Sequence, residues 1–319
     1  MNRKHVFLLN PAAGQGHAIG MREQIENISQ RLSLDTEIYE TKEELDAQVF
    51  TSQLIKNNDV DTKIRLYACG GDGTANEILN AIIGHDNMEL AVIPMGTGND
   101  FVRNFGDVEL FRNLEYQMTA DTVKTDVIRY TWKRQGFSCS RYCINMFNIG
   151  FDCNVVEMAG KLKKKPLISG SMAYLAGVAA MLVKMKGADL KVEFEDGKVF
   201  DGKMLLIAIA NGCFCGGGVK GVPKALTDDG FMDISLVRKC SRRRFIQLFP
   251  KYAKGEHLNA KGADKLIIYR KAKTLKITAN GEPFTFSTDG ELTKAKEIEF
   301  EIVPGAVDFV VPQQIESNK

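Results

Sequence analysis

Two glycine-rich stretches carry acidic residues in positions that suit phosphate chemistry. The first, Gly70-Gly71-Asp72-Gly73-Thr74-Ala75-Asn76-Glu77, follows an apolar run at 64–68 and precedes an apolar set at helical spacing, 78–83. The order is therefore strand, glycine turn and helix, and the N–H groups and dipole at the helix start favour a phosphate. Because Asp72 repels a phosphate unless a cation lies between them, the turn also indicates Mg²⁺.

The second stretch is Gly96-Thr97-Gly98-Asn99-Asp100-Phe101-Val102-Arg103, which follows another apolar run at 90–94. A plain strand-to-helix turn explains the glycines of either stretch taken alone. Two acidic glycine turns at the ends of neighbouring parallel strands are harder to explain in that way, because ligands of open α/β sheets bind at that edge. The pair therefore favours a phosphate site built from both turns.

Together, GGDGTANE and GTGNDFVR resemble the catalytic domain of diacylglycerol kinases and sphingosine kinases, and most closely the soluble bacterial diacylglycerol-kinase-like lipid kinases. The resemblance runs nearly end to end, although GGDGT alone also occurs in NAD kinases. It implies a lipid kinase that uses ATP and Mg²⁺ and phosphorylates a primary hydroxyl, most directly that of diacylglycerol to give phosphatidic acid. It also implies a homodimer.

The resemblance further implies which residues bind the nucleotide. They are Asn10, Pro11, Ala12, Ala13, Gly14, Thr41, Gly71, Asp72, Gly73, Thr74, Ala75, Asn76, Glu77, Thr97 and Lys165. We expect Asp72 and Asp100 to orient Mg²⁺ and the phosphates. Thr74 is also placed to cap the helix that follows it, and Thr41 with Glu44 predicts a capping box for an earlier helix. No Walker lysine follows either glycine turn, so an ordinary P-loop is excluded.

A late acidic turn, Thr288-Asp289-Gly290-Glu291, resembles the Asp-Gly-Glu signature of the same family. We expect Glu291 to be the general base that takes the proton of the acceptor hydroxyl, with Asp289 beside it. Two neighbouring carboxylates can also raise the pKa of one of them. A hairpin turn with exposed acids is the alternative interpretation, and Asn280-Gly281-Glu282 is a similar turn nearby.

A structural Mg²⁺ is implied by the resemblance in the region of the Leu-Thr-Asp-Asp-Gly-Phe sequence. Carried over by position, its ligands are the Leu226 carbonyl, the Asp229 carboxylate and the Phe231 carbonyl. Hard oxygen ligands suit this cation. An ordinary Asp-Asp-Gly turn explains the same residues without a metal.

The order of predicted elements indicates an α/β domain with a doubly wound parallel sheet at 1–123, to which 305–319 returns, and an antiparallel β domain at 124–304. The first is the expected nucleotide-binding domain and the second the expected lipid-substrate domain. The strands predicted in the second part are 124–130, 141–150, 190–195, 203–211, 231–237, 265–269, 274–279, 298–303 and 308–311, with helices at 171–185 and 241–253.

Composition and charge narrow the partners. The 319 residues carry a net charge of only +2, which indicates no nucleic-acid partner, and an odd number of cysteines, seven, without repeated spacing indicates reduced thiols in the cytoplasm. No apolar run is long enough to span a bilayer, so we expect peripheral contact with the inner face of the membrane. Two basic runs would supply it: Lys161, Lys163, Lys164 and Lys165, and Arg242, Arg243 and Arg244.

Three alternatives stay open on the sequence. A Rossmann dehydrogenase is favoured by Gly14, Gly16 and Gly20 after the first strand, but the third glycine is misplaced by one residue. The second is a kinase for a soluble acceptor, as in NAD kinases. The third is a protein that binds nucleotide or lipid without catalysis, which the intact Asp72, Asp100 and Glu291 disfavour.

Overall fold

The chain divides into two compact units, which are described separately. A computed structural model describes residues 3–16, 19–96, 98–134, 136–151, 153, 185 and 187–313. The first unit is Met1–Thr125 with Gly305–Lys319, and the second is Asp126–Pro304.

Strands outnumber helices in the described chain. The strands are Arg3–Leu9 (β1), Asp35–Glu40 (β2), Lys63–Gly70 (β3), Met88–Pro94 (β4), Thr122–Arg134 (β5), Phe137–Cys143 (β6), Met146–Gly150 (β7), Ala188–Phe194 (β8), Val199–Ala210 (β9), Met232–Arg238 (β10), Ile267–Ala272 (β11), Thr274–Ala279 (β12), Phe284–Thr288 (β13), Glu291–Ala295 (β14) and Glu297–Val310 (β15). The α-helices are Arg22–Leu32 (α1), Asp46–Asn57 (α2), Asp72–Ile82 (α3), Val108–Arg112 (α4), Leu114–Thr119 (α5) and Arg242–Lys254 (α6). Short 3₁₀ helices are Ala13–Gly16, Ile19–Met21, Val102–Phe105 and His257–Asn259.

The first unit is a parallel sheet with helices packed on it. Strands β2, β1, β3 and β4 lie side by side in that order, and the end of β15 pairs with β4. Strands β1, β3 and β4 are buried along most of their length, as apolar runs covered on both faces must be. Phe7, Tyr67 and Ile93 from three of these strands pack with Ile25 of α1 and Met118 of α5. This is the predicted α/β architecture with a parallel sheet, and it is confirmed.

A fully buried ion pair joins two strands of this sheet. Arg65 of β3 donates to Glu89 of β4 at 2.7 Å, and neither side chain is more than 2% exposed. The other nitrogens of Arg65 donate to the carbonyls of Gln117 (2.7 Å) and Ala120 (2.8 Å). Because a buried guanidinium is costly unless its donors are used, these bonds fix the end of α5 against the sheet.

The second unit is antiparallel, as predicted. Strand β9 pairs with three other strands, with β7 and β8 along one edge and with β10 along the other. Strand β13 joins β7 to β14, and β12 joins β8 to the first half of β15. Alternating apolar side chains from these strands form the main core of the unit, including Phe147, Val192, Ile209, Phe286 and Ile298.

The predicted strand 141–150 is in fact two strands, β6 and β7. It breaks because the carbonyl of Asn145 turns to accept the N–H groups of Asn211 (2.8 Å) and Gly212 (3.2 Å). The two predicted strands at 298–303 and 308–311 are a single strand, β15. The predicted helix at 171–185 lies, apart from its last residue, outside the described residues.

Two strands, β13 and β14, were not predicted. Phe284 and Phe286 of β13 alternate into the core, and the Asp289-Gly290 turn connects the pair. Both turn residues have positive φ, 47° and 98°, the conformation of a type I′ hairpin. The alternating apolar residues and the Asp-Gly pair are the sequence features that could have predicted this hairpin.

Both predicted threonine caps are wrong. Helix α2 begins at Asp46 after Leu45, which has a positive φ of 68°, and Thr41 instead donates its hydroxyl to the Leu9 carbonyl at 3.3 Å. Helix α3 begins at Asp72, two residues before Thr74, whose hydroxyl accepts a bond from Asn10. In both cases a partner distant in sequence replaces the local cap. Among the described residues, no helix is long and apolar enough to span a bilayer.

Candidate functional site

The turns that follow β1, β2, β3 and β4 meet at one edge of the parallel sheet. The Asn10 N–H donates to the Cys69 carbonyl at 3.0 Å, and the Thr41 N–H to the Leu9 carbonyl at 2.9 Å. The N–H groups of Met95 and Gly96 both donate to the Gly70 carbonyl, at 2.9 and 3.1 Å. The four turns are therefore held as neighbours where the carboxyl ends of the strands converge.

The two glycine motifs touch through their backbones. A Cβ on Gly96 would lie 2.6 Å from the Cα of Gly71, closer than such atoms approach. A Cβ on Gly98 would lie 2.7 Å from Asp72 Oδ2 and 3.4 Å from Asp100 Oδ2. Glycine is thus required because the turns pack against each other and because two carboxylates point at the same position above Gly98.

Asp72 ties the two motifs together. Its Oδ2 accepts the Asn99 N–H at 3.0 Å and its Oδ1 accepts the Asp100 N–H at 3.1 Å. Asn99 has a positive φ of 50° and completes the loop by donating its side-chain amide to the Gly96 carbonyl at 2.7 Å. Asp72 is also the first residue of α3, where a carboxylate is stabilised by the helix dipole. The first role of Asp72 is therefore to shape the second turn.

Several predicted nucleotide-binding residues use their side chains within the protein. Asn10 donates to the Thr74 hydroxyl at 3.0 Å, and its Oδ1 accepts the Ala12 N–H at 3.0 Å. Asn76 is buried and its Oδ1 accepts from Asn80 at 3.0 Å.

Glu77 accepts the N–H of Ala47 in the first turn of α2 at 3.1 Å. Pro11, Ala12 and Ala13 stay partly or fully exposed, as do Gly14, Thr41 and Gly71 to Gly73. Ala75 is buried. The accessible part of this edge is thus mostly backbone, which suits an anion held by N–H groups at a helix start. Thr97 and Lys165 lie outside the described residues.

In the second unit, the Asp289-Gly290 turn is anchored to the break between β6 and β7. The Asp289 N–H donates to the Met146 carbonyl at 3.1 Å, and the Met146 N–H donates back to Asp289 Oδ1 at 2.9 Å. The Cys143 thiol donates to Oδ2 at 3.3 Å. Burial, together with the Asp289 carboxylate, holds the pKa of the Cys143 thiol well above its usual value, so that it stays a donor.

Glu291 differs from Asp289 in its surroundings. It is the first residue of β14, pairs across the hairpin with Thr288, and is exposed. Asp289 thus fixes the turn, whereas Glu291 is an exposed residue at the start of β14.

The predicted structural Mg²⁺ site holds an internal cation. Asp229 Oδ2 forms an ion pair with Lys271, and Asp229 Oδ1 accepts the Phe231 N–H at 3.1 Å. The Lys271 ammonium lies 3.7 Å from Asp233 Oδ2, and Asp233 is fully buried. Hydrogen bonding to Asp229 raises the pKa of Lys271, and burial raises the pKa of Asp233 to about 6.

With Lys271 in place, the Asp229 carboxylate does not fit a Mg²⁺ ligand. Leu226, whose carbonyl was the expected second ligand, is 54% exposed as a residue. Within the described part of the chain, no three His, Cys, Asp or Glu side chains are grouped to hold a metal. Sequence reasoning missed Lys271 and Asp233, because neither stands in a glycine turn.

Comparisons with known proteins agree with this architecture. The family described as the diacylglycerol kinase catalytic domain matches residues 4–130, and the YegS C-terminal NAD kinase beta sandwich-like domain matches residues 145–311. A diacylglycerol kinase of Bacillus subtilis (strain 168) is 31% identical over 78% of both chains. One of Staphylococcus aureus (strain JH9) is 30% identical over 99% of this chain and 94% of its own. A solved structure from Bacillus anthracis str. Sterne, provisionally named a diacylglycerol kinase, has a TM-score of 0.72 at 25% identity and covers 97% of both chains.

The chain therefore belongs to the diacylglycerol kinase catalytic-domain family, and it is a kinase. The resemblance inferred from the paired glycine motifs is confirmed, which leaves the dehydrogenase interpretation without support.

We expect Gly96→Ala to destabilise the first unit by about 1–3 kcal/mol, the usual cost of overpacking. The added methyl would force the Gly96 and Gly71 backbones apart. Chemical denaturation measures the change. Gly20→Ala is the matched control, because a Cβ there meets no atom within 4 Å. Equal stability of the two variants would show that the turns are not in contact.

A second expectation concerns Lys271. In nucleotide-free protein, Lys271→Met should lower the melting temperature, because two carboxylates lose their counter-ion, and Mg²⁺ should then raise it. The melting temperature of wild type should rise less with Mg²⁺ than that of the variant, and EDTA should not lower it. Lys276→Met is the control, since Lys276 pairs with the half-exposed Glu297 and the exposed Glu299. A wild-type protein that loses Mg²⁺ and stability in EDTA would instead support a structural metal.

Proposed function

We propose that this protein is a lipid kinase that transfers the γ-phosphate of ATP, with Mg²⁺, to the primary hydroxyl of diacylglycerol to give phosphatidic acid. The observation that carries the proposal is the Asp72 carboxylate, which holds both glycine motifs around the start of α3. The named relatives support the choice of acceptor.

The phosphates are proposed to lie against the backbone of the two glycine turns. N–H groups in the first turn of a helix have no partner within the helix, and the helix dipole adds attraction for an anion. Gly71 and Gly73 carry no side chain that would keep a phosphate away from the backbone. Residues Asn10 to Gly14 and Thr41, at the ends of the adjacent strands, are proposed to border the nucleotide.

Mg²⁺ fits the acidic residues of this edge. Oxygens of Asp72 and Asp100 converge above Gly98, and carboxylate oxygens are the ligands that Mg²⁺ prefers. These two carboxylates would hold the ion, which supplies neutralisation of the phosphate charge. The remaining contribution of the protein is to place the phosphates, because phosphoryl transfer depends mainly on positioning and electrostatics.

Glu291 is proposed as the general base. The acceptor oxygen forms a bond to the γ-phosphorus while the bond from phosphorus to the β,γ-bridging oxygen breaks, and the hydroxyl proton goes to the Glu291 carboxylate. ADP leaves with the bridging oxygen. An exposed carboxylate at the start of a strand is suited to accept that proton, whereas Asp289 already accepts two donors from the chain.

The site of action is proposed to be the cytoplasmic face of a membrane. All seven cysteines are free thiols, which suits a reducing compartment. A kinase for a soluble acceptor is the second candidate, because one matching family is described as NAD kinase beta sandwich-like.

A label-transfer assay tests the proposed function. The purified protein, γ-labelled ATP and Mg²⁺ are combined in parallel with diacylglycerol, monoacylglycerol, a sphingoid base, phosphatidylglycerol and NAD, and each product is identified by mass. We expect labelled phosphatidic acid as the main product. Label in phosphorylated NAD, or no transfer to any lipid, would reject the proposal.

The two carboxylates of the late turn should separate in their effects. Glu291→Ala should lower kcat by roughly 10²–10⁴, the range for a general base, with an unchanged melting temperature. Asp289→Ala should cost about 1–3 kcal/mol of stability, because the Met146 N–H loses its acceptor. Kinetics and denaturation are measured on both variants. Glu282→Ala, at an exposed acid in the preceding turn, is the control; the assignment fails if that variant alone loses activity.

A further inference from the structure

Helix α6 is a strongly basic helix with two different faces. Its 13 residues, RRRFIQLFPKYAK, include five Arg or Lys and no Asp or Glu. Residues 239–265 as a whole carry eight Arg or Lys against two acids, Glu256 and Asp264, so the remainder of the chain, with a total of +2, is net negative. The positive charge of this protein is therefore concentrated around one helix.

The inner face of α6 packs on the rest of the second unit. Phe245 lies with its ring centre 4.9 Å from that of Phe151, and Leu248 is buried with Ala263 and Ile267. Arg244 also turns toward the protein and donates to the Lys261 carbonyl. The helix is thus held by its apolar side, and its position does not depend on the outer residues.

The outer face is exposed, basic and partly apolar. It consists of the exposed residues Arg242, Arg243, Ile246, Gln247, Pro250, Lys251 and Lys254. Ile246 is 57% exposed between the two groups of cations. Within the described part of the chain, Arg243, Lys251 and Lys254 form no ion pair, whereas cations such as Arg129 and Arg270 do. An aliphatic side chain among unpaired cations is typical of a helix that lies on a lipid surface.

We propose that this outer face of α6 is the surface by which the protein docks on anionic membranes. The proposal rests on the lipid acceptor proposed above, since that substrate resides in a bilayer. Charge complementarity selects the occupant, because anionic headgroups attract Arg and Lys while Ile246 and Pro250 enter the headgroup boundary. Of the two basic runs singled out in the sequence, 161–165 lies outside the described residues, and the arginine run divides between the two faces.

Vesicle flotation with the full-length protein tests the docking face. Wild type is compared with Arg243→Gln/Lys251→Gln/Lys254→Gln on phosphatidylcholine vesicles with and without phosphatidylglycerol, at low and high salt. We expect wild type to bind only the anionic vesicles, and more weakly at high salt. The triple variant should bind about 10²-fold more weakly, at about fivefold per lost cation.

A second triple variant controls for net charge. Lys133→Gln/Lys203→Gln/Lys296→Gln removes the same charge from exposed positions of the same unit and should bind as wild type does. Equal loss in both triple variants, or wild-type binding by the α6 variant, would overturn the proposal. Binding of wild type to an oligonucleotide but not to anionic vesicles would assign the face to nucleic acid and reject a membrane.

The docking face and the kinase activity are tested separately. On a short-chain diacylglycerol in detergent, the α6 variant should retain wild-type turnover, because none of its altered residues belongs to the proposed catalytic site. Vesicle binding without any lipid phosphorylation would reject the proposed function and leave the docking face in place. Lipid phosphorylation, together with equal vesicle binding by wild type and the α6 variant, would support the proposed function and reject the docking face.

Discussion

The bonds from Asp72 to the Asn99 and Asp100 N–H groups are the constraint on which the first unit's candidate site depends. A charged acceptor makes such bonds stronger than neutral ones, at about 1.5–3 kcal/mol each. They join two loops that are separated by α3 and β4 in the chain. Both loops are glycine-rich and would otherwise sample many conformations, since glycine has no side chain to pack. The two bonds from Asp72 therefore supply much of the restraint that fixes the conformation of these loops.

The strand-turn-helix units of this site, and their place at one edge of the sheet, could be predicted from the sequence. Those predictions rest on local patterns, namely an apolar run, a glycine turn and a helical period. The partners of Asp72 could not be predicted in the same way, because they lie 27 and 28 residues away. The place of Asp72 in a glycine turn led to the prediction that it contacts Mg²⁺. The structure adds that its carboxylate holds the second glycine turn.

The errors have a common physical cause. Thr41 and Thr74 have the residue type of helix caps, but tertiary partners, the Leu9 carbonyl and Asn10, take their hydroxyls instead. The split between β6 and β7 depends on N–H groups of Asn211 and Gly212, far along the chain. In each case contacts with residues distant in sequence overrode a local structural preference. For the helix caps that preference is worth about 1 kcal/mol.

Three aspartates of the second unit use their carboxylates to hold turns. Asp126 accepts the Gly230 N–H at 2.7 Å, Asp229 accepts that of Phe231, and Asp289 accepts that of Met146. Each uses its charge to satisfy backbone donors that a turn cannot pair internally. Glu291, the residue proposed as the general base, stands two residues after Asp289 and is exposed at the start of β14. In this Asp-Gly-Glu sequence, an acid that holds its turn therefore stands two residues before an exposed one, and only the fold distinguishes them.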